Sequence, residues 1–245
     1  MTSYGPLSQW YDELTGDVPY EAFADKYEKL IEEGKSCFTL LDLCCGTGTL
    51  TDIMARRGHE MIGVDMSPDM LSVAGEKASQ LPDGVVRPMF LCQDASELDL
   101  YGTVNGSYCS LDGINYIHPD DLPEVFRLLH LFIEPGGVFA FDIHTPEHLR
   151  ELDGGTFVDE KEDLLCLWRA EFDDEENAII YGMDIFRQKG KLWERQCEEH
   201  VEYAHEPEKI KTILENTGFT DIEISSDEDV FGKSRLFIKA VNLPH

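Results

Sequence analysis

The chain has 245 residues, 42% of them hydrophobic, and its 49 Asp and Glu against 20 Lys and Arg give a formal net charge of −29. A field of that sign repels phosphate backbones and anionic membranes, so neither nucleic acid nor a membrane is an expected partner. No apolar run approaches the roughly 18 residues of a membrane span, and the N-terminus lacks a basic segment followed by an apolar core. These features predict a cytoplasmic protein with one large α/β domain and an added subdomain.

The seven cysteines are predicted to be free thiols. Their number is odd, and no pair shows the Cys-x-x-Cys spacing of zinc sites and redox motifs. Several lie in apolar, strand-like surroundings, where a thiol packs as a small hydrophobic group. No disulfide or metal site is therefore expected among Cys37, Cys44, Cys45, Cys92, Cys109, Cys166 and Cys197.

The N-terminal segment is rich in aromatic residues at partly helical spacing. Gly16 and Pro19 interrupt this spacing, which predicts a short helix, a loop and a second helix from about Tyr20 to a stop at Gly34. The segment either covers the sheet or forms a lid over a ligand, to which Tyr11 and Tyr20 would offer hydroxyls on flat apolar rings.

The stretch that follows reads Leu-Leu-Asp-Leu-Cys-Cys-Gly-Thr-Gly-Thr-Leu from Leu40 to Leu50. It predicts a strand over Leu40 to Leu43, a tight turn at Gly46 to Gly48 and a helix over Thr49 to Arg57. Glycine suits such a turn because a Cβ would hinder both the backbone angles and the close approach of a ligand. The turn therefore predicts a site for a nucleotide-like ligand.

Strands and helices then alternate, which predicts a parallel sheet with helices on both faces and ligands at the carboxyl ends of its strands. Two helices are predicted, one from the capping residue Ser67 to about Gln80 and one from Asp120 to Ile133. Further strands are predicted at Met61 to Val64, Met89 to Cys92, Val104 to Ser110 and Val138 to Ile143.

The pattern changes between Thr156 and Tyr203. Strand-like runs joined by hairpin turns predict a three-stranded antiparallel insert, over Leu164 to Phe172, Ala178 to Arg187 and Leu192 to Tyr203. The α/β pattern resumes with a helix over Pro207 to Asn216 and strands over Asp221 to Ile224 and Arg235 to Val241. We expect an α/β protein with a seven-stranded mixed sheet, divided into a helical lid (1–38), an α/β domain (39–148 and 206–245) and the insert (149–205).

Two acidic residues end strands directly behind the glycine turn. Asp65 ends the second strand, where a carboxylate can accept hydrogen bonds from both ribose hydroxyls, and Asp94 ends the third, where it can accept from an adenine amino group. Either residue could instead only cap the following helix. A nicotinamide or flavin dinucleotide would favour glycine at the position of Thr51, so an oxidoreductase is the lesser alternative.

These motifs together resemble those of the class I S-adenosylmethionine-dependent methyltransferases, over nearly the whole chain. Leu40 to Gly48 looks like their first motif, Ile62 to Ser67 the ribose-binding second, Gln93 to Ala95 the adenine-binding third, and Glu134 to Gly137 the turn before the fifth strand. Trp10 to Asp12, Leu111 to Tyr116 and Trp193 to Arg195 are similar to motifs of a bacterial branch related to sugar-nucleotide and small-amine N-methyltransferases. The resemblance implies a Rossmann-like fold, S-adenosylmethionine as cofactor, and methyl transfer to a nitrogen or oxygen of a small molecule.

The resemblance also implies which residues bind the cofactor. The first-motif loop would line the aminocarboxypropyl arm, Asp65 would hold the ribose, and Tyr11 and Tyr20 would close over the methionine end. One departure is Cys44, which stands where the family's first motif usually has glycine. The expected cofactor-binding residues are Tyr11, Tyr20, Asp42, Cys44, Cys45, Gly46, Thr47, Gly48, Asp65, Met66, Met70, Asp94, Ala95 and Leu111.

Candidate acceptor-side groups follow the fourth and fifth strands and lie on the insert. Methyl transfer is an in-line displacement, so positioning can supply most of the catalysis, and a base is needed only for a protonated or hydroxyl acceptor. On an extended strand Glu198 and His200 share a face, and Arg195 points to the other. The catalytic candidates are Asp112, Asp142 and His200; the substrate-binding candidates are Asn115, Trp168, Arg195 and Glu198, with His118 and His144 nearby.

The carboxylates near the expected mouth of the site favour a cationic amine as the acceptor. A non-catalytic protein that keeps the cofactor fold is a further alternative to an enzyme. The protein is expected to be a monomer or a homodimer, since the exposed edges of the insert can pair between subunits.

Overall fold

The computed structural model describes residues 5, 7–31 and 38–243, which form two sheets. The strands are β1 (Thr39–Leu43), β2 (Glu60–Asp65), β3 (Met89–Cys92), β4 (Val104–Cys109), β5 (Ile133–His144), β6 (Thr156–Glu160), β7 (Leu164–Asp173), β8 (Ala178–Lys189), β9 (Leu192–Tyr203), β10 (Thr220–Ser225) and β11 (Arg235–Val241). Seven of them form a sheet in the order β10-β11-β5-β4-β1-β2-β3, and the other four form a sheet in the order β6-β7-β8-β9.

The helices of the described residues pack around these sheets. They are α1 (Tyr11–Leu14), α2 (Tyr20–Ile31), α3 (Thr49–Arg56), α4 (Pro68–Ser79), α5 (Leu122–Phe132), α6 (Pro146–Glu151), α7 (Pro207–Asn216) and α8 (Glu228–Phe231), with 3-10 turns at Leu7–Gln9, Ala95–Glu97 and Gly113–Tyr116. The short helices α6 and α8 were not predicted. The predicted stop of α2 at Gly34 lies outside the described residues.

The seven-stranded sheet confirms the predicted α/β class. Strands β1 to β5 run parallel, whereas β11 is antiparallel to both β5 and β10. The strand order reverses between β1 and β4, so the loops that follow these two strands diverge and open a crevice at their carboxyl ends. The site described below lies in that crevice.

The prediction of three strands for the insert was wrong, because the insert has a fourth strand, β6, paired antiparallel with β7. Four of the five residues of β6 are exposed, and Phe157 keeps 43% of its surface accessible. The alternation of buried and exposed side chains that reveals a strand in a sequence is therefore missing here. Backbone pairing with β7 holds this edge strand in place.

Apolar side chains cover both faces of the seven-stranded sheet. On one face, Phe126 of α5 packs against Phe139 of β5, with 5.9 Å between ring centroids. On the other, Tyr27 of α2 stacks on Tyr108 of β4 at 5.1 Å and meets Phe237 of β11 edge-on at 6.1 Å. The N-terminal helix α2 thus forms part of the core under the crevice.

Two predictions concern the chain as a whole. The cysteines of the described residues are free thiols, as expected, and Cys37 lies outside that part of the chain. Within the described ranges, no helix has both the length and the apolar character that crossing a membrane requires. The division into lid, α/β domain and insert stays a prediction.

Candidate active site

A loop between β1 and α3 forms one wall of a cavity of about 380 Å³ at the carboxyl ends of the strands. Gly46 and Gly48 in this loop have φ angles of 54° and 70°, which glycine adopts without strain. A Cβ at Gly46 would meet no atom within 4 Å, whereas a Cβ at Gly48 would lie 3.0 Å from Ala74 and 3.2 Å from Phe90. Gly46 therefore leaves room for a ligand, and Gly48 allows close packing of the loop on its neighbours.

Cys44 also has a positive φ, 57°, which is uncommon for a residue with a side chain. Its thiol lies beside Cys109, whose pKa is raised by burial and by this neighbouring thiol. A Cβ on the facing Gly113 would lie only 2.7 Å from the Cys109 Sγ and 3.1 Å from the Cys44 Cβ. The loop accommodates a cysteine at this position because the facing residue has no side chain.

Asp65 ties the ends of two strands together at the edge of the cavity. Its Oδ2 accepts a hydrogen bond from the Gly46 amide at 2.9 Å, and its Oδ1 accepts one from the Ser67 amide at 2.8 Å. Burial raises the pKa of this carboxyl, while the two amides act in the opposite direction. Each carboxylate oxygen still has capacity for one more donor, so local capping and ligand binding are compatible here.

Asp94 borders the cavity beside Ala95, Met66 and Met70. Its Oδ1 accepts hydrogen bonds from the Ser96 amide at 2.8 Å and the Ser96 hydroxyl at 2.7 Å, so this residue caps the 3-10 turn that follows. All of the predicted cofactor-binding residues except Asp42 and Gly48 line this cavity.

Asp42 lies beneath the loop, with 1% of its surface exposed, and does not reach the cavity wall. Its Oδ2 accepts hydrogen bonds from the Thr51 hydroxyl at 2.5 Å and the Tyr108 hydroxyl at 3.1 Å. Burial raises the pKa of Asp42 to about 7, although both hydroxyls lower it. Thr51 stands where a dinucleotide site would have its third glycine. Its hydroxyl donates a hydrogen bond to this buried carboxyl, which a glycine could not do.

The N-terminal segment is fixed between the glycine loop and the insert. The Asp12 carboxylate accepts hydrogen bonds from the Thr47 hydroxyl at 2.5 Å, the Lys77 ammonium at 2.6 Å and the Thr49 hydroxyl at 3.1 Å. On the other side, the Leu7 amide donates to Glu198 Oε2 at 2.8 Å. This arrangement places Tyr11 and Tyr20 in the cavity wall.

Asp142 shapes the loop that follows β4. It is fully buried, and its two oxygens accept hydrogen bonds from the amides of Leu111 at 2.9 Å and Asp112 at 3.0 Å. Both of these residues have left-handed φ angles, 54° and 55°, and the two amide bonds hold them there. Tyr27 and Arg235 also donate to Asp142. The structure therefore gives this catalytic candidate a position under the loop, away from the cavity wall.

Asp112 lies in a buried group of charges beside the cavity. Its Oδ1 accepts a hydrogen bond from Arg235 Nη2 at 2.8 Å and lies 3.3 Å from His144 Nε2. Burial favours the neutral acid, but His144 and Arg235 outweigh it and hold the pKa of Asp112 below its ordinary value. Burial lowers the pKa of His144, yet the charge of Asp112 outweighs that effect and raises it overall.

Of the other acceptor-side candidates, His118 lines the cavity, whereas Asn115, Trp168 and Arg195 do not. Asn115 is fully buried and bridges three elements, donating to the Tyr203 carbonyl at 2.9 Å and accepting from the His144 amide at 3.0 Å. Trp168 donates to Asp159 at 2.7 Å, and Arg195 pairs with Asp184 on the outer face of the insert.

The predicted faces of β9 are those of the structure. Glu198 and His200 lie on the packed face of the insert, because they pair across the sheet with Met183 and Tyr181, which pack against Leu7 and Leu149. His200 is buried, which lowers its pKa to about 4.

Several residues that the sequence did not single out also line the cavity. Tyr116 and Asp121 approach from the segment after β4, while Glu199, Val201 and Tyr203 approach from the edge strand β9. His118 lies between them and meets the Tyr203 ring edge-on at 5.0 Å. Alternation along β9 could have identified its residues had the cavity been expected on that face.

Comparison with known proteins decides the family. A family model described as "Methyltransferase domain" matches residues 40–137. The Bacillus subtilis (strain 168) protein named "Putative methyltransferase YqeM" is 30% identical over 246 residues, which cover 97% of this chain and 96% of the relative. This chain belongs to the class I S-adenosylmethionine-dependent methyltransferases.

Solved structures of methyltransferases share this fold. An S-adenosylmethionine-dependent methyltransferase from Clostridium acetobutylicum ATCC 824 superimposes with a TM-score of 0.83 at 28% identity, covering 98% of this chain and 99% of that one. The sugar N-methyltransferase KedS8 from Streptoalloteichus sp. ATCC 53650 gives a TM-score of 0.81 at 19% identity over 100% of this chain and 95% of its own. The second likeness shows the fold alone.

Proposed function

We propose that this methyltransferase transfers the methyl group of S-adenosylmethionine to a nitrogen or oxygen atom of a small-molecule acceptor. The observation that carries the proposal is the single cavity into which Gly46, Asp65 and Asp94 all open and which continues past Tyr116 to β9. One part of this cavity suits a nucleoside with an amino-acid arm, and the other part suits an acceptor.

The residues of the first part fit the cofactor. Asp65 would accept hydrogen bonds from the ribose hydroxyls with the capacity that its two amide bonds leave free. Asp94 would accept from the adenine amino group, and the open face of Gly46 would let the aminocarboxypropyl arm approach the backbone. Met66 and Met70 would flank the adenine ring, and Tyr11 and Tyr20 would cover the methionine end.

When bound, S-adenosylmethionine supplies a methyl group that its sulfonium has already activated. The protein's own contribution is to orient the acceptor atom and to keep water away from it. The lid, fixed through Asp12 and Leu7, closes one side of the cavity, and the loop held by Asp142 forms the adjacent side. An acceptor would therefore approach along Tyr116 and β9.

A small acceptor fits the limited size of the cavity. A cavity of about 380 Å³ that also holds the cofactor leaves room for one small molecule or the end of a larger one. The net charge of −29 disfavours polyanionic acceptors.

A screen for the release of S-adenosylhomocysteine tests the proposal. The purified protein is incubated with S-adenosylmethionine and separate panels of amines, sugar nucleotides and carboxylates. We expect turnover with at least one small amine or hydroxyl compound of these panels. Cofactor binding without turnover across all panels would instead favour a non-catalytic protein that keeps the methyltransferase fold.

A further inference from the structure

Glu202 is a buried carboxyl for which the proposed function so far has no role. It lies on β9, two residues beyond His200 on the same face, and only 5% of its surface is exposed. Its Oε2 has no hydrogen-bond partner among the described residues, and no Lys, Arg or His of that part of the chain forms an ion pair with it. Burying a carboxyl oxygen without a hydrogen-bond partner costs free energy. Such a group in a folded protein therefore calls for an explanation, of which a bound ligand is one.

The cationic groups near Glu202 in the described part of the chain pair with other carboxylates. Arg235 is shared between Asp112 and Asp142, and His144 faces Asp112. Three carboxyl groups thus meet one guanidinium and one imidazole in this group. The third carboxyl, Glu202, has no cationic partner of its own among the residues that the structure describes.

Tyr116 connects Glu202 to the cavity. Its hydroxyl acts on the Glu202 carboxyl as a hydrogen-bond donor that lowers the pKa of that carboxyl, and the residue is part of the cavity wall. The Tyr116 ring is held edge-on against His200, with 6.2 Å between centroids. A cation in the acceptor part of the cavity would therefore meet Tyr116 first, with Glu202 directly behind it.

We propose that Tyr116 and Glu202 form the acceptor-side site for a protonated amine, with Tyr116 contacting the amine and Glu202 supplying the negative charge and accepting the proton. This inference rests on the proposed function and narrows the acceptor to an amine. Tyr116 is the residue in contact with substrate, and Glu202 is a positioning residue that acts through it.

The proton transfer balances within these groups. The ammonium gives a proton to the Tyr116 oxygen while the Tyr116 hydroxyl proton moves to the Glu202 carboxylate. The products are a neutral amine, an intact tyrosine and a neutral carboxylic acid. The amine then has the free lone pair that methyl transfer requires.

The ionisation of Glu202 agrees with this role. Burial and the charge of Asp112 raise its pKa to about 8, against the opposing effects of His144, Tyr116 and Arg235. The other titratable groups close to it are Tyr181 of β8, whose pKa Glu202 raises, and His200 of its own strand. Near pH 7 the empty site therefore holds a proton on Glu202, and a bound ammonium displaces it.

Sinefungin tests the inference without knowledge of the natural acceptor. This analogue carries a primary amine where S-adenosylmethionine carries its methyl group, whereas S-adenosylhomocysteine has neither. Both ligands are titrated calorimetrically into the wild type, Tyr116→Phe, Glu202→Gln, Glu202→Asp and the control Glu171→Gln, an exposed carboxylate of the insert. Buffers of different ionisation enthalpy report the protons released.

We expect the wild type to prefer sinefungin over S-adenosylhomocysteine, to release a proton on binding it at pH 7, and to bind it more tightly at pH 8 than at pH 6. Tyr116→Phe and Glu202→Gln should reduce the preference about tenfold, the effect of one charge-assisted hydrogen bond, and Glu202→Gln should abolish the proton release. Glu202→Asp should recover part of both, and Glu171→Gln should change neither.

An unchanged preference and unchanged proton release in Glu202→Gln would overturn the inference while leaving the proposed function intact. Failure of the wild type to bind S-adenosylhomocysteine at all would instead overturn the proposed function. Tyr116→Phe, which removes one oxygen from the cavity wall, decides the question should Glu202→Gln fail to fold.

Discussion

Cys44 lies beside the cavity and has a left-handed backbone conformation, although it carries a side chain. At φ 57° a Cβ crowds the following carbonyl, at a cost of roughly 1–2 kcal/mol for a residue other than glycine. The thiol offsets part of this cost through its contacts with Cys109 and the surrounding apolar core. The family's usual glycine would avoid the backbone strain but lose those contacts.

Comparison of Cys44→Gly with Cys44→Ala separates these two effects. Both variants lose the thiol, but only glycine relieves the backbone, so we expect Cys44→Gly to be more stable than Cys44→Ala by about 1 kcal/mol. Denaturant unfolding of the two variants measures the difference. Equal stability, or a more stable alanine variant, would show that the loop relaxes away from the left-handed conformation.

Two sets of hydrogen bonds hold the N-terminal segment against the rest of the protein, and we expect them to affect ligand exchange. Asp12 joins α1 to the glycine loop and to Lys77 of α4, while Leu7 joins the same segment to Glu198 of β9. The Asp12 and Lys77 side chains are 41% and 27% exposed, so solvent and salt weaken their attraction. The segment is therefore held beside the cavity by hydrogen bonds and an ion pair that water and salt can weaken.

Asp12→Asn should therefore accelerate release of a bound cofactor. Asparagine keeps the size of the side chain but loses the charge that binds Lys77 and two threonine hydroxyls, so we expect S-adenosylhomocysteine to dissociate about tenfold faster. Stopped-flow displacement measures the rate, with Asp17→Asn, an exposed carboxylate of the same segment, as the control. A rate equal to that of the control would show that the hydrogen bonds of Asp12 do not limit release of the cofactor.

Elements with strong periodicity could be predicted from the sequence, and those without it could not. The strands and helices from β1 to α5 follow apolar runs and clear start signals such as Ser67 before Pro68. The exposed strand β6 lacks both. In the site, Asp65 was predictable because a strand end follows a recognisable motif, whereas the Glu202–Tyr116 contact joins residues far apart in the chain and has no local signal.

Buried histidines make the free energy of unfolding of the protein depend on pH. His205 is 6% exposed, and its Nε2 lies 3.1 Å from the carbonyl oxygens of both Ile114 and Ile117, so it supports the turn that carries Tyr116. Burial lowers its pKa to about 4, against the effect of these two carbonyls. The folded protein thus binds this proton less readily than the unfolded chain, in which histidine titrates near 6.5.

The contribution of His205 is present above pH 6.5 and is lost as the pH falls toward 4. Between pH 7 and pH 5 we expect His205 to account for a loss of about 2 kcal/mol in the free energy of unfolding. His205→Gln, whose amide can still donate to the carbonyls, should remove that part of the pH dependence. An unaltered pH dependence in His205→Gln would contradict the assignment.

In the proposed function, the cavity holds S-adenosylmethionine with its ribose on Asp65. Calorimetric titration of S-adenosylhomocysteine into the wild type, Asp65→Ala and the control Asp69→Ala tests it, with thermal melting to confirm that each variant is folded. We predict micromolar binding to the wild type and to Asp69→Ala, and a loss of about 30-fold or more in Asp65→Ala. Undiminished affinity in Asp65→Ala, or binding of NADH in place of S-adenosylhomocysteine, would contradict it.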